Sequence, residues 1–140
     1  MNPASLPRPV SADGPYSLCL RNDGPLLFIS GQGPWNPETG SYERGSIARQ
    51  TELTLETIKA IAERAGARLE DAVRCRVFLQ PLTRETFEEM NAVYARYFPG
   101  ERRPVRTTVG AGLLDIDVEI DCVIGLKEPS PSAVPSPGSL

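Results

Sequence analysis

The stretch Arg102–Ile124, RRPVRTTVGAGLLDIDVEIDCVI, decides how the rest of the chain reads. Val105, Thr107, Val109 and Ala111 alternate with Arg106, Thr108 and Gly110. Beyond a glycine-bearing connection, Val118, Ile120, Cys122 and Ile124 alternate with Glu119, Asp121 and Val123. Side chains of a strand point to opposite faces with a period of two. Two strands are therefore expected, with Arg106 and Thr108 sharing one face and Glu119 and Asp121 sharing a face of the next. Paired with each other, they would set a guanidinium and a carboxylate across one shallow surface. Arginine offers a forked donor for a small carboxylate, and a nearby glutamate can move a proton. The same pattern also describes a surface ion pair between neighbouring strands, the commoner use of such charges. Alternation alone does not choose between them.

Upstream, Thr83 can cap a helix whose apolar face is Phe87, Met90, Tyr94 and Tyr97/Phe98, stopped by Pro99-Gly100. Asn91 lies beside that stripe, as a structural amide or a ligand contact. Before it, Val73, Cys75, Val77 and Leu79 alternate with Arg74, Arg76 and Phe78, predicting a strand that Pro81 ends. Earlier still, Ser46 can cap a helix with Ile47, Thr51, Leu55, Ile58, Ala62 and Ala65 along one stripe and Gly66 as its left-handed stop. Tyr16 to Leu20, the turn Asn22-Asp23-Gly24 and the apolar run Leu26 to Ser30 read as a hairpin, its second strand buried. Ser30-Gly31-Gln32-Gly33-Pro34 then leaves the sheet. A dinucleotide-binding reading of this G-x-G fails, because PWNPETG stands where a helix would have to begin.

The order ββαβαββ, with two helices on one face of a mixed sheet, makes the expected fold α+β. Residues 1–13 read as a flexible arm, 14–127 as a single domain, and the Pro/Ser-rich 128–140 as a disordered tail. A net charge of −3 and a pI near 5.0 argue against a nucleic-acid partner. No run approaches a membrane span, and the first residues lack the apolar core of a signal peptide. Cys19, Cys75 and Cys122 form no CxxC and are expected to be reduced core residues, which suits a cytoplasmic location. The chain has no histidine, so Ser-His and Cys-His catalysis and an ordinary zinc site are excluded. Any chemistry must run on carboxylates, Arg, Tyr, Ser/Thr, backbone groups and water.

Six short motifs occur in order: Gly14-Pro15-Tyr16-Ser17, Phe28-Ile29-Ser30-Gly31-Gln32, Pro37-Glu38-Thr39-Gly40, Met90-Asn91-Ala92-Val93-Tyr94, Pro104-Val105-Arg106-Thr107-Thr108-Val109 and Val118-Glu119-Ile120-Asp121. Together, over roughly residues 7 to 127, the chain resembles the Rid (YjgF/YER057c/UK114) family of reactive-intermediate deaminases. The resemblance implies a chorismate-mutase-like fold and a homotrimer with three clefts between subunits. It also implies cofactor-free hydrolysis of enamines and imines such as 2-aminoacrylate and 2-aminocrotonate to 2-keto acids and ammonia. That task is metabolite damage control, since such imines attack pyridoxal-phosphate enzymes.

Residue by residue, Arg106 matches the family arginine that binds the substrate carboxylate. Glu119 matches the acidic residue near the attacked carbon, and Tyr16, Ser30 and Asn91 match positions lining the cleft. Thr108 stands where the best-known deaminases carry cysteine, Trp35 adds bulk after the Gly31–Gly33 loop, and the connection from Gly110 to Asp117 looks short. A non-enzymatic carboxylate-binding or regulatory trimer is the alternative reading. A ribonuclease, a label some family members carry, is disfavoured by the acidic balance and the missing histidine.

Overall fold

A computed structural model describes residues 14–127; the expected N-terminal arm and C-terminal tail lie outside the described residues. The elements run β1 (Leu26–Gln32), β2 (Trp35–Asn36), β3 (Ser41–Tyr42), α1 (Ile47–Arg64), a single 3₁₀ turn (Leu69–Asp71), β4 (Ala72–Leu79), α2 (Arg84–Tyr97), β5 (Val105–Gly110) and β6 (Val118–Gly125). One mixed sheet has the order β1-β6-β4-β5, while β2 and β3 form a small separate hairpin. This is the α+β arrangement expected, two helices against one face of a mixed sheet.

Local signals set the helices. The Ser46 hydroxyl accepts from the Arg49 amide at 3.0 Å and starts α1. At its far end Gly66 has φ +77°, and the amides of Gly66 and Ala67 donate to the carbonyls of Glu63 and Ala62. That is the left-handed stop that only glycine adopts without strain. Thr83 and Thr86 form a reciprocal box at the start of α2, each side chain bonding the other's amide. Leu55 and Ile58 of α1 and Met90 and Tyr94 of α2 are fully buried against Cys75, Val77, Leu79, Val118, Ile120 and Ile124. Each such aliphatic side chain contributes about 1.5–3 kcal/mol on leaving water.

Two strand expectations are corrected. The strands Val105–Gly110 and Val118–Gly125 do not pair with each other; β4 lies between them, parallel to β5 and antiparallel to β6. The reason is α2. A helix of this length between two strands is the crossover that parallel pairing requires, so β5 docks beside β4 and β6 must take its other side. The connection after β5 then crosses the end of β4, where Gln80 holds it. Its side chain accepts from the Leu113 amide at 2.8 Å and donates to the Leu113 and Ile116 carbonyls, and its own amide donates to Asp117 O.

The expected hairpin Tyr16–Leu20/Leu26–Ser30 is also absent. Ser17 instead makes a single parallel bridge to Val105 at the opposite edge of the sheet, its amide donating to Pro104 O at 3.0 Å. Its hydroxyl donates to Arg103 O as well, so the backbone beside β5 takes the bonds a hairpin would have needed. Without that partner strand β1 is an edge strand. Only Ile29 in it is buried, and Phe28 stands 70% exposed.

Register assigns the faces. Ile29, Cys122, Cys75 and Arg106 lie in one row across all four strands, on the helix side with Ile120, Val77 and Thr108. Glu119, Phe78 and Val109 form a row on the other side, as do Asp121, Arg76 and Thr107. Among the described residues, Phe28 and Val109 on that second face stand exposed.

Candidate functional site

Arg106 projects from β5 toward α2. Its guanidinium carbon lies 4.8 Å from the ring centre of Tyr94, 4.9 Å from Tyr16 and 5.5 Å from Phe87. One guanidinium nitrogen is 3.9 Å from Met90 Sδ. Three electron-rich rings and a thioether thus surround a half-buried cation. Burial pulls this guanidinium below its ordinary range, opposed by Tyr94, Tyr16 and Cys75, yet arginine stays charged. No carboxylate of the described residues pairs with it: the ion pairs involve Arg21, Arg44, Arg49, Arg68, Arg76 and Arg96. A cation held in an aromatic cage without a counter-charge is built to receive an anion.

Polar atoms without partners gather around the same place. Thr108 follows Arg106 on the same face of β5, and Asn91 follows Met90 on α2. Thr108 Oγ1 and Asn91 Oδ1 are buried without a hydrogen-bond partner, while the Tyr94 hydroxyl faces the Cys75 thiol. Leaving a buried polar atom unmade costs about 1–3 kcal/mol, and such atoms mark places where something else binds.

Glu119 belongs to a different surface. It lies on the face of β6 away from the helices, and strand β4 and the thickness of the sheet separate it from Arg106. Its neighbour is the irregularity in β1 between Ile29 and Gln32. A Cβ on Gly31 would stand 2.6 Å from Glu119 Oε2 and 2.9 Å from its Cδ, so any side chain there would push the carboxylate from its place. Ser30 is exposed in the same irregularity, its hydroxyl accepting a long 3.4 Å bond from Gln32 Nε2. The chain therefore sets Tyr16 against Arg106, with Thr108 next along the same strand face and Asn91 one residue after Met90 on α2, while Ser30 flanks the Gly31 that Glu119 approaches on the opposite face. The shared shallow surface expected for Arg106 and Glu119 does not exist within one protomer. Asp121, on the same face as Glu119, is the structural ion pair: Arg76 Nε donates to it at 2.8 Å from the adjacent strand.

Sequence reasoning missed Phe87, Met90 and Tyr94 as site residues because their helical spacing also describes a core stripe. The available signal was an arginine on the strand face that a helix with an aromatic stripe, Phe87, Tyr94 and Phe98, would have to cover. Trp35 lies elsewhere. It packs edge-on against Tyr42 with ring centres 5.3 Å apart and, with Pro37, lines a groove of about 320 Å³ along α1.

The family model described as Endoribonuclease L-PSP, that of the YjgF/Rid proteins, matches residues 7–125. The chain belongs to this family. The Rid-family chain is 44% identical over 123 residues to a RutC family protein of Pyrococcus abyssi, covering 87% of this chain and 91% of that one. It is 35% identical to Reactive Intermediate Deaminase A, chloroplastic, of Arabidopsis thaliana, covering 83% of this chain and 61% of that one. Among solved structures, the Yersinia pestis protein YyfA of the conserved Rid family superposes with a TM-score of 0.67 at 35% identity, covering 83% and 91% of the two chains. No helix among the described residues is long and apolar enough to cross a membrane.

Proposed function

We propose that this Rid-family chain hydrolyses enamine and imine intermediates of the 2-aminoacrylate and 2-aminocrotonate type to 2-keto acids and ammonia, without a cofactor, at clefts between the subunits of a homotrimer. The observation that carries the reading is Arg106, a caged cation with no carboxylate partner among the described residues. A substrate carboxylate docked on its fork gains about 1.5–3 kcal/mol and fixes the neighbouring imine carbon. Glu119 of an adjacent protomer takes a proton from water as the oxygen attacks that carbon. With the imine nitrogen protonated this gives the neutral carbinolamine; the same carboxyl then returns the proton to nitrogen and takes the hydroxyl proton as the C–N bond breaks, releasing ammonia and leaving the 2-keto acid. General-base assistance of this kind is worth about 10²–10⁴ in rate. An imine is already electrophilic, so nothing stronger is required.

Assembly supports the reading for a geometric reason. Arg106 and Glu119 on opposite faces of one sheet cannot address one small ligand, whereas a neighbouring copy can bring its Glu119 face to the Arg106 edge. The Glu119 face also carries Phe28 and Val109, apolar side chains that stand exposed on the single chain. The Arabidopsis relative's name is that of a deaminase, and the family description names RNA cleavage. The absence of histidine and the net charge of −3 weigh against the second chemistry here.

The test is to generate 2-aminoacrylate in situ with a dehydratase and follow pyruvate release with wild type, Arg106→Ala, Glu119→Gln and a refolded mixture of the two variants. Acceleration by wild type, loss in each variant, and recovery of roughly a quarter of the activity in the mixture are expected for sites shared between subunits. Unimpaired turnover by Arg106→Ala would overturn the reading. Tight keto-acid binding without turnover would favour a non-enzymatic carboxylate-binding trimer instead.

A further inference from the structure

The helix-side face of β5 continues past the arginine. Arg106, Thr108 and Gly110 occupy successive positions on it, spanning ~13 Å at strand rise. Phe87 roofs the Arg106 end, its ring 5.5 Å from the guanidinium. Leu82 roofs the other end, since a Cβ placed on Gly110 would lie 3.0 Å from Leu82 Cβ and 3.7 Å from its Cδ2. Leu82, Thr83, Arg84 and Phe87 line an open groove of about 330 Å³. Phe87 borders both this groove and the cage that holds Arg106.

The groove is apolar where it matters. Thr83 is one of its two polar residues, and its hydroxyl is already engaged, accepting from the Thr86 amide at 3.1 Å and bonding the Thr86 hydroxyl at 3.2 Å. Arg84 is exposed, which leaves Leu82 and Phe87 as the walls. Gly110 keeps the space open, because any side chain there would run into Leu82. Leu82 precedes the N-cap Thr83 and lies against Gly110, with Phe87 four residues into α2 across the groove; 46% exposed, it leaves an apolar surface open beside the Arg106 cage.

We propose that this groove is a side-chain subsite for the ligand anchored on Arg106, and that it selects 2-imino acids with a branched or aromatic apolar side chain over those with two or three carbons beyond the carboxylate. The inference rests on the carboxylate-anchoring role of Arg106 and on the deaminase reading for its consequence in turnover. It adds the identity of the preferred side chain. A single methylene in an apolar pocket discriminates about 10–200-fold, so a branched side chain gains at least tenfold over a methyl group.

The groove is read first by binding, which needs no catalysis. Pyruvate, 4-methyl-2-oxopentanoate, phenylpyruvate and 2-oxoglutarate are titrated into the full-length protein by calorimetry, with wild type, Leu82→Ala and Arg84→Ala. At least tenfold tighter binding of 4-methyl-2-oxopentanoate than of pyruvate is expected, with that ratio collapsing in Leu82→Ala and unchanged in Arg84→Ala. A flat ranking, or tightest binding of 2-oxoglutarate lost in Arg84→Ala, overturns the proposal. Turnover of the matching imines, made in situ by an amino-acid oxidase, is then measured. The binding order without turnover leaves the subsite standing and removes the deaminase reading. Turnover with no preference among side chains does the reverse. Circular dichroism of Leu82→Ala confirms that a lost ratio is not a lost fold.

Discussion

Replacing Gly31 by alanine tests the half-site around Glu119 without touching a charged group. The added Cβ would stand 2.6 Å from Glu119 Oε2, 2.9 Å from Cδ and 3.1 Å from Cγ. An ordinary contact begins near 3.4 Å, so the carboxyl must retreat by about 0.8 Å. Misplacing a catalytic group by about 1 Å costs on the order of 10²-fold in rate, equivalent to ~2.7 kcal/mol of transition-state stabilisation. Stability should respond far less. Gly31 does not have a positive φ, so alanine fits the backbone and lowers unfolded-state entropy, a gain of about 0.4–1 kcal/mol that offsets the side-chain shift. The expected result is a loss of about 100-fold in kcat for imine hydrolysis, with the melting temperature within a few degrees of wild type. A double-variant cycle sharpens it. Once Glu119→Gln has removed the base, adding Gly31→Ala should cost little more, because both changes act through one carboxyl. A folded Gly31→Ala protein within threefold of wild-type kcat, or additive losses in the double variant, would refute the role of Glu119's placement.

Two further outcomes follow from the same geometry. Tyr94→Phe keeps the ring against Arg106 and removes a hydroxyl whose neighbour is the Cys75 thiol, a weak partner, so stability should change by less than ~1 kcal/mol; a larger loss in chemical denaturation would show the hydroxyl to be strongly bonded. For Asp117, burial pushes its carboxyl up, but bonds from Gln50 at 3.0 Å and Arg44 at 3.0 Å outweigh it and hold the group below its usual value. A carboxylate depressed in the folded state contributes stability that is fully present above its unfolded value near ~3.9 and is lost as pH falls through the lower folded value. Asp117→Asn should therefore flatten the stability profile below about pH 4 relative to wild type, and a profile identical to wild type in acid would contradict this.

Elements whose boundaries are set by a few neighbouring residues were legible in the sequence. Ser46, Gly66, Thr83 and Pro99 act within a turn of themselves, and the structure uses the first three as caps at those positions. Cys75, Val77 and Leu79, and Val118, Ile120, Cys122 and Ile124, are buried as read, whereas Val73 beside the irregularity at Ala72/Arg74 is only partly so, and Asp121 and Val123 are buried as well. What failed was pairing. Alternation states which residues share a face of one strand but carries no information about which strand lies beside it. The hairpin expected for 105–124 looked natural because its connection is short, yet the α2 crossover decides the neighbour of β5. Gln50 shows the same limit at the scale of one side chain. It is fully buried in α1, donates to Gly45 O at 2.9 Å and accepts from the Asp117 amide at 2.9 Å. Its partner is 67 residues away, and no local pattern announces a glutamine of that kind.

The candidate site was legible in a different sense. Arg106, Tyr16, Asn91, Thr108, Ser30 and Glu119 were named one by one, and Tyr16 does lie against Arg106, but the sequence placed Arg106 and Glu119 on a common surface. The error has a physical content. With β4 between β5 and β6, residues of opposite parity in the register, such as Arg106 and Glu119, must point to opposite sides. A one-residue slip of β6 would reunite them, but it would also turn Val118, Ile120, Cys122 and Ile124 out of the core. Burying four such side chains holds the register by several kcal/mol, more than any charge pair at a surface returns. The chain therefore cannot gain a complete anion-and-base site by refolding its own sheet. It can gain one by placing two copies face to edge, and the same contact would cover Phe28 and Val109. Core packing in the single chain and assembly between chains are thus parts of one argument: the register that makes the core separates the half-sites, and a second copy is the remaining way to join them.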